Sequence, residues 1–315
     1  MNLAELVSGS LNVTLPVFAM VFIGFGLKRA RWVDRAFVDT ASQLVFKACM
    51  PTLIFLGIIK ADLDATLNPA LLAYFAVATV IGFLGCWGWA ILRVPRPARG
   101  VYIQGAFRGN CGIVGLALAS AMYGDYGLST AGLLLGVVIL CYNTLSVVVL
   151  STYQDAKRTH WRGILLHIAR NPLIIAVVLA LPVSLLEITL PTWLMTSGEY
   201  FASMTLPLAL ICIGATLSAT GLRDSGNIAL GASLMKMITL PALGTAGAWL
   251  LGFSGRDLGV LYLFFASPTA AAAFVMAKAM GGDAVLTANI IAITTLASLF
   301  TITSGILILQ LLGVI

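Results

Sequence analysis

The sequence consists largely of long apolar segments. Ten segments of 18 or more mostly apolar residues alternate with short polar connections, and none of these connections is long enough to form a soluble domain. A helix of about 20 apolar residues crosses the roughly 30 Å hydrocarbon core of a bilayer. The pattern predicts an all-α integral membrane protein with ten transmembrane helices. The predicted spans cover residues 11–28, 36–59, 69–92, 100–122, 128–151, 163–186, 200–218, 228–252, 258–280 and 285–312. Residues 187–199, which include Pro191, are either a loop or the start of a longer seventh span.

The composition excludes a soluble protein. Apolar residues make up 60% of the chain, charged residues only 10%, and the mean hydropathy is +1.02. So little polar surface cannot keep 315 residues dispersed in water. The net charge of +6 comes from basic residues in the short connections, where they set membrane orientation, so no nucleic-acid partner is expected. The partner that the composition predicts is the lipid bilayer.

Basic residues concentrate in alternate connections. Excess Lys and Arg mark the cytoplasmic side, so the odd-numbered connections are predicted to be cytoplasmic and both termini external or periplasmic. The start of the chain has Glu5 and no basic region, so the first span is expected to stay in the mature protein. The basic residues of the first, third and fifth connections are Lys28, Arg29, Arg31, Arg35, Arg93, Arg96, Arg99, Lys157, Arg158 and Arg162.

The sequence lacks the motifs of the common metal sites and enzymes. Its five cysteines lie in apolar segments without CxxC spacing, which indicates neither a zinc site nor a disulfide framework. No HExxH, GxSxG or GxxxxGK[ST] motif is present. We therefore expect no metal, no cofactor and no enzymatic activity, and no transport driven directly by ATP.

An internal repeat divides the chain. AMYGD at 121–125 recurs as AMGGD at 279–283, an offset of 158 residues that also aligns Asn110 with Pro268. At an offset of 156, two proline pairs correspond, Pro16 with Pro172 and Pro51 with Pro207. Each unit, residues 1–157 and 158–315, contains five spans, and an odd number makes the second unit enter the membrane from the opposite side. Such 5+5 inverted repeats are typical of secondary transporters, whose substrate site lies near the midplane at broken helices.

The fourth and ninth spans are predicted to be those broken helices. Pro268 removes a backbone donor, and Ser267 before it has the form of an N-cap that starts a second half-helix. In the fourth span, Gly109 and Gly112 loosen the backbone and Asn110 is the corresponding candidate cap. Both breaks would leave unpaired N–H groups facing the interior, an arrangement that favours an anion.

Charged residues inside the spans point the same way. Arg108 and Lys47 lie deep in the fourth and second spans, Lys47 one helical turn before Pro51, whereas no Asp or Glu lies securely at mid-membrane. A buried charge costs about 2.5–3.5 kcal/mol on insertion scales, so each cation either has a function or reaches the surface. The roles of Lys236 and Lys278 stay open.

The candidate site residues fall into two groups. Those predicted to contact substrate are Asn110, Arg108, Gly109, Ser267, Pro268, Lys47 and Pro51. Those predicted to supply neutral contacts, including to a coupling Na⁺ or H⁺, are Gln43, Asn143, Asn289 and Thr294. The alternative for the second group is that these polar side chains join helices to one another.

Four segments of the sequence resemble the bacterial branch of the auxin efflux carrier family, whose fold is similar to that of bile acid:sodium symporters. They are MPTLIF in the second span, FRGNCGIVGLALA in the fourth, LPLALICIGATL in the seventh and SPTAAAAFVMAKAMGGD in the ninth. The resemblance implies a scaffold of helices 1, 2, 6 and 7 and a transport domain of helices 3–5 and 8–10. It also implies that helices 4 and 9 cross at the substrate, near Asn110 and Pro268, and move it in an elevator-type mechanism.

The resemblance further implies a homodimer in a bacterial inner membrane and a small carboxylate substrate such as malonate. The leading hypothesis is a secondary transporter of a small organic anion, a mono- or dicarboxylate. A sodium-coupled symporter of an amphipathic or sterol-like anion is the first alternative. A membrane sensor or a membrane enzyme is a more distant one. Substrate identity, transport direction, coupling ion and oligomeric state are not determined by the sequence.

Overall fold

The structure is a computed structural model that describes residues 3–60, 68–153, 170, 172–216 and 226–315. Within these ranges the regular structure is helical, and the only β pairing is one isolated bridge. The helices in these ranges are α1 (Leu3–Arg29), α2 (Arg35–Lys60), α3 (Pro69–Arg93), α4 (Arg96–Phe107), α5 (Cys111–Tyr153), α6 (Pro172–Leu185), α7 (Thr192–Ser203), α8 (Thr205–Thr216), α9 (Asn227–Leu250), α10 (Gly255–Ala266), α11 (Ala272–Ala279) and α12 (Ala284–Leu311).

Six helical segments of the described part are long and apolar enough to cross a membrane. They are α2, α3, α5, the segment Thr192–Ala215 formed by α7 and α8, α9 and α12. Large apolar side chains lie exposed on their outer faces, for example Ile81, Leu92 and Phe300. Exposed apolar surface of this extent is unfavourable in water and favourable against lipid. The chain is therefore an all-helical, multi-pass membrane protein, as its composition predicted.

Every predicted span contains a helix wherever the structure describes it. The fourth span corresponds to α4 and the start of α5, and the ninth corresponds to α10 and α11. The beginning of the sixth span and the basic residues of the fifth connection, Lys157, Arg158 and Arg162, lie outside the described residues. The total of ten crossings stays a prediction.

Polar residues before the apolar runs fix several helix starts. The Asp34 carboxylate accepts a hydrogen bond from the Phe37 N–H at 2.7 Å, and the Asn68 side chain accepts one from the Leu71 N–H at 3.1 Å. Asp283 caps α12 in the same way, through the N–H of Leu286 at 2.9 Å. Each cap satisfies a helical donor that has no acceptor within its own helix.

The connection between the fourth and fifth spans is a sharp kink at one glycine. Helical structure continues through this region of α5, interrupted only at Gly124, which has φ 58° and ψ −136°. A residue with a Cβ rarely adopts this conformation, so a single glycine makes the bend for which the sequence pattern indicated a short loop. The fourth and fifth spans therefore divide within residues 123–127, as predicted, but at a kink rather than a loop.

The segment that was left open, residues 187–199, is largely helical. Pro191 occupies the N-cap position of α7, and the helix continues to Ser203 before a turn at Met204 leads into α8. Proline is compatible with a helix start because the donor that it lacks has no partner there in any helix. The seventh span thus has an additional helical segment before it.

Two helices contain a π-helical turn shortly before a proline. In α2 this turn is Val45–Cys49 and precedes Pro51, and in α9 it is Met235–Thr239 and precedes Pro241. A proline inside a helix removes one backbone donor and crowds the carbonyl four residues earlier, which a wider turn accommodates. In α9 the widened turn contains the buried Lys236.

Glycines bring α1 and α8 into close contact. A Cβ on Gly24 would lie 2.1 Å from the Ile211 carbonyl oxygen, and one on Gly214 would lie 1.8 Å from the Val21 carbonyl oxygen. Small residues of this kind let membrane helices approach until their backbones touch. Elsewhere in the protein, α2 packs extensively against α6, and α4 packs against α3, α5 and α9.

Candidate functional site

The polar stretches of the fourth and ninth spans interrupt their helices, as the sequence predicted. α4 ends at Phe107 and α5 begins at Cys111, which leaves residues 108–110 non-helical. α10 ends at Ala266 and α11 begins at Ala272, which leaves residues 267–271 non-helical. We call these segments the first break and the second break.

The two breaks pair with each other through their backbones. Gly109 lies opposite Thr269 in an isolated antiparallel bridge. The Asn110 N–H donates to the Pro268 carbonyl oxygen at 2.6 Å, and the Ala270 N–H donates to the Arg108 carbonyl oxygen at 3.0 Å. Pairing satisfies backbone groups that lipid cannot satisfy, so non-helical chain is tolerated in the interior of the protein.

Ser267 does not have the predicted role. It was expected to cap the half-helix after the second break, but it terminates α10, and its Oγ donates to the Leu263 carbonyl oxygen at 2.8 Å. Its backbone, with φ −57° and ψ 135°, has the extended conformation that a following proline imposes. Because Pro268 then pairs with the first break, α11 cannot begin until Ala272.

Asn110 lies at the start of α5, but its side chain does not cap it. The backbone carbonyl of Asn110 accepts the N–H groups of Ile113 and Val114, at 3.3 and 3.0 Å. Its side chain makes no capping hydrogen bond, because φ −84° and ψ 52° lie outside the extended region of an N-cap. The carboxamide is half-buried and not engaged in the cap, so it is available to a ligand.

Several carbonyls at the ends of the helices that lead into the breaks accept hydrogen bonds from side chains. The Gly105 carbonyl oxygen, in α4, accepts from the Thr269 hydroxyl at 2.7 Å. In α10, three consecutive carbonyl oxygens each accept from a side chain: Leu263 from Ser267 at 2.8 Å, Phe264 from Cys111 at 3.3 Å and Phe265 from Lys236 at 2.8 Å. The last carbonyls of a helix have no N–H donor within their own helix, and here side chains supply that donor.

The helix starts that follow the breaks keep free donors. Within the described part of the chain, no hydrogen bond engages the N–H of Gly112 or of Ala272. The first N–H groups of a helix have no partner within that helix, and the helix dipole makes this end partly positive. The helix starts after the paired breaks therefore offer donors and positive potential to an anion.

Arg108 is buried and held by α5. Its guanidinium donates to the Asn143 Oδ1 at 2.8 Å, to the Ser146 Oγ at 3.0 Å and to the Tyr142 carbonyl oxygen at 3.2 Å. A fourth contact joins it to the Met276 sulfur at 3.0 Å. All of these partners are neutral, so the positive charge of Arg108 is not compensated by them.

Lys236 lies next to the first break. Only 1% of the residue is exposed, and its Nζ donates to the Phe265 carbonyl oxygen at 2.8 Å. A Cβ on Gly109 would lie 3.1 Å from this Nζ, so the ammonium packs directly against the backbone of the first break. The sequence left the role of Lys236 open, and the structure makes it the buried lysine of the site.

The remaining candidates divide between the breaks and the surface. The Thr294 hydroxyl accepts the Thr269 N–H at 3.1 Å, which joins the second break to α12, and Asn143 binds Arg108. Asn289 is buried in α12, but no hydrogen bond in the described part of the chain joins it to either break. Lys278 has no described side chain.

The residues predicted in α2 are less directly connected to the breaks. Lys47 and Gln43 are exposed, and the Lys47 ammonium donates to the Gln43 Oε1 at 3.2 Å. Pro51 is half-buried beside Met50, whose sulfur lies 3.9 Å from the position of a Cβ on Gly112. This part of α2 therefore approaches the start of α5, and no described hydrogen bond joins Lys47 to the first break.

Two cations are buried in the described part of the chain, Arg108 and Lys236, and no carboxylate there is buried with them. The ion pair found in that part joins Lys60 and Glu199, both exposed. Among the described residues, no group of three or more His, Cys, Asp or Glu side chains could hold a metal ion. The charge of the interior is thus positive, and an anion would balance it.

Comparison with known proteins identifies the family. The sequence profile of a family described as "Membrane transport protein" matches residues 11–161 and 157–306. An uncharacterised transporter of Methanocaldococcus jannaschii is 25% identical over 93% of this chain and 96% of its own length, and one of Methanothermobacter thermautotrophicus gives the same values. The uncharacterised transporter YfdV of Escherichia coli is 21% identical over 84% of this chain and 86% of its own. The chain is therefore a membrane transporter rather than an enzyme, and it belongs to the membrane transport protein family, that of the auxin efflux carriers.

Proposed function

We propose that this chain is a secondary transporter of a small organic anion, a mono- or dicarboxylate of the size of malonate. The observation that supports this most strongly is the buried pair of cations, Arg108 and Lys236, with no buried carboxylate beside them in the described residues. A charge in the interior of a membrane protein is expensive unless something pairs with it. A transported carboxylate would supply the missing negative charge while it is bound.

The chemistry of the paired breaks supports the same class of substrate. Several carbonyls of the helix ends leading into them already accept hydrogen bonds, whereas the helix starts after them retain N–H groups without described partners. A carboxylate has two oxygens and only accepts hydrogen bonds, so it matches these donors. We assign the Asn110 carboxamide, half-buried at the first break, as a further contact to the substrate.

We further propose an elevator-type mechanism, in which the fourth and ninth spans cross and move with the substrate. The pairing of the two breaks supports this because hydrogen bonds tie them into one unit. The close packing of α1 on α8 and of α2 on α6 supports a scaffold of spans 1, 2, 6 and 7. A 5+5 inverted repeat, a homodimer joined through the scaffold, external termini and a bacterial inner membrane complete the proposal.

The experiment that tests the proposed function is counterflow of radiolabelled malonate into proteoliposomes. We predict that the wild-type protein accumulates label. The flux in Asn110→Ala should be about one tenth of the wild-type value or lower, because a hydrogen bond to a charged group contributes roughly 1.5–3 kcal/mol. Asn227→Ala, which changes an exposed residue at the start of α9, is the matched control and should transport normally.

The outcomes separate the alternatives. Equal flux in Asn110→Ala and the wild type would remove the first break from the mechanism. Uptake that requires a sodium gradient would favour the symporter hypothesis. Binding of malonate without any counterflow would identify a sensor, and the absence of both binding and flux for a panel of mono- and dicarboxylates would contradict the proposal.

A further inference from the structure

The end of α10 and the first break enclose the side chain of Lys236. The π-helical turn Met235–Thr239 places this lysine on the inner side of α9, where only 1% of the residue is exposed. Its Nζ lies 2.8 Å from the Phe265 carbonyl oxygen. Gly109 has no side chain, and this allows the ammonium to reach the backbone of the first break.

The hydrogen bonding of this ammonium is incomplete. A lysine ammonium has three donors, and one described hydrogen bond, to Phe265, uses one of them. No carboxylate of the described residues is buried with it. Lys236 therefore combines a cationic side chain, spare donors and contact with the segment that carries Asn110.

Arg108, the other buried cation, is bound differently. Its guanidinium donates to Asn143, Ser146 and the Tyr142 carbonyl, all in α5. Moving the guanidinium towards a substrate would break the contacts that join α5 to the first break. Arg108 is thus fixed as a connection between helices, with only its Nε–H lacking a described partner, whereas Lys236 is held by a single described acceptor.

We propose that Lys236 is the charge partner of the transported anion and sets the preference of the site for carboxylates by their charge. The inference rests on the proposed function, because it names the residue that supplies positive charge to that same site. The Phe265 carbonyl holds the ammonium when the site is empty. A carboxylate bound at the breaks then accepts hydrogen bonds from the spare donors or, without direct contact, is attracted by the positive charge.

The test compares two ligands of nearly equal shape, malonate and its monoamide malonamate, which differ by one negative charge. Displacement of radiolabelled malonate from purified protein gives the dissociation constant of each. In Lys236→Met the affinity for malonate should fall by about 30-fold or more, as expected when one partner of a buried charge pair is removed. The fold-loss of affinity for malonamate should be roughly one tenth of that for malonate, because the interaction of a cation with a ligand grows with the ligand's charge.

Two further variants secure the interpretation. Lys28→Met removes an exposed lysine at the end of α1 and should leave both dissociation constants unchanged. Gly109→Ala retains Lys236 but places a methyl group 3.1 Å from its Nζ, so it should displace the ammonium and reduce the preference for malonate in the same direction. Gly109→Ala serves as the test if Lys236→Met does not fold.

The results distinguish the possible roles of Lys236. An equal loss of affinity for both ligands would show that Lys236 only closes the end of α10, and unchanged affinities would show that it does not act on the ligand at all; each overturns the inference while leaving the proposed function intact. If the wild-type protein binds neither these two ligands nor any other carboxylate of the panel, the proposed function fails and the inference fails with it.

Discussion

At the scale of single residues, the two buried cations have separate structural settings. The guanidinium of Arg108 has a planar fork of donors that reaches several acceptors of α5 at once, whereas the ammonium of Lys236 meets one carbonyl and a glycine backbone. Arginine suits the first setting because its donors are fixed in one plane, and lysine suits the second because its charge is compact. The distinction supports a connecting role for Arg108 and the ligand-binding role that we propose for Lys236.

The connecting role of Arg108 leads to a prediction about stability. Arg108→Lys keeps the charge but cannot donate to Asn143 and Ser146 at once in the same geometry, so at least one buried acceptor loses its partner. We expect the free energy of unfolding to fall by about 2 kcal/mol. The midpoint of thermal unfolding in detergent measures this loss. Arg96→Lys, at an exposed position in the first turn of α4, is the control; an unchanged midpoint in Arg108→Lys would refute the connecting role.

Part of the site was predictable residue by residue. A guanidinium and an amide inside an apolar run are conspicuous, and the structure places both Arg108 and Asn110 at the first break. The capping role expected of Ser267 was wrong because Pro268 pairs with the other break, a contact between residues 158 positions apart in the sequence. Lys236 could not be assigned because only the packing of α9 against α10 and the first break brings it there.

At the scale of helices, proline and glycine decide where the regular structure stops. Pro268 predicted the second break and the glycines of FRGNCG predicted the first, since each disfavours a continuous helix. The same pattern predicted a division between the fourth and fifth spans, but it could not show that a kink at Gly124 makes it, because φ 58° at one residue leaves no trace in hydropathy. The π-helical turns before Pro51 and Pro241 were equally hidden, although proline is their physical cause.

The contact between α1 and α8 gives a prediction at this scale. Gly24→Ala would place a Cβ 2.1 Å from the Ile211 carbonyl oxygen, a distance at which backbone must move. Overpacking a close contact destabilises by roughly 1–3 kcal/mol, so the midpoint of thermal unfolding should fall. Gly26→Ala lies on the same helix with nothing within 4 Å of its new Cβ, and it should be neutral or slightly stabilising. Equal midpoints for the two variants would show that α1 and α8 do not pack through Gly24.

At the scale of the whole molecule, hydropathy carried most of the prediction. Long apolar runs require helices in a bilayer, and every described part of the predicted spans contains helix. The arrangement of these helices depends on contacts between distant residues, such as Gly24 with Ile211 and Gly109 with Thr269, which composition does not specify. Family membership came from motifs spread along the chain, and the match of the family profile confirms it.

The account of the molecule as an anion transporter depends on where the anion binds. The most direct measurement is a crystal structure of the protein with bromomalonate, in which the anomalous signal of bromine locates the ligand independently of the protein density. We predict one strong peak at the paired breaks, with the carboxylates beside Asn110 and on the side of Lys236. A peak elsewhere in the protein, with the breaks unoccupied at saturating ligand, would contradict the account.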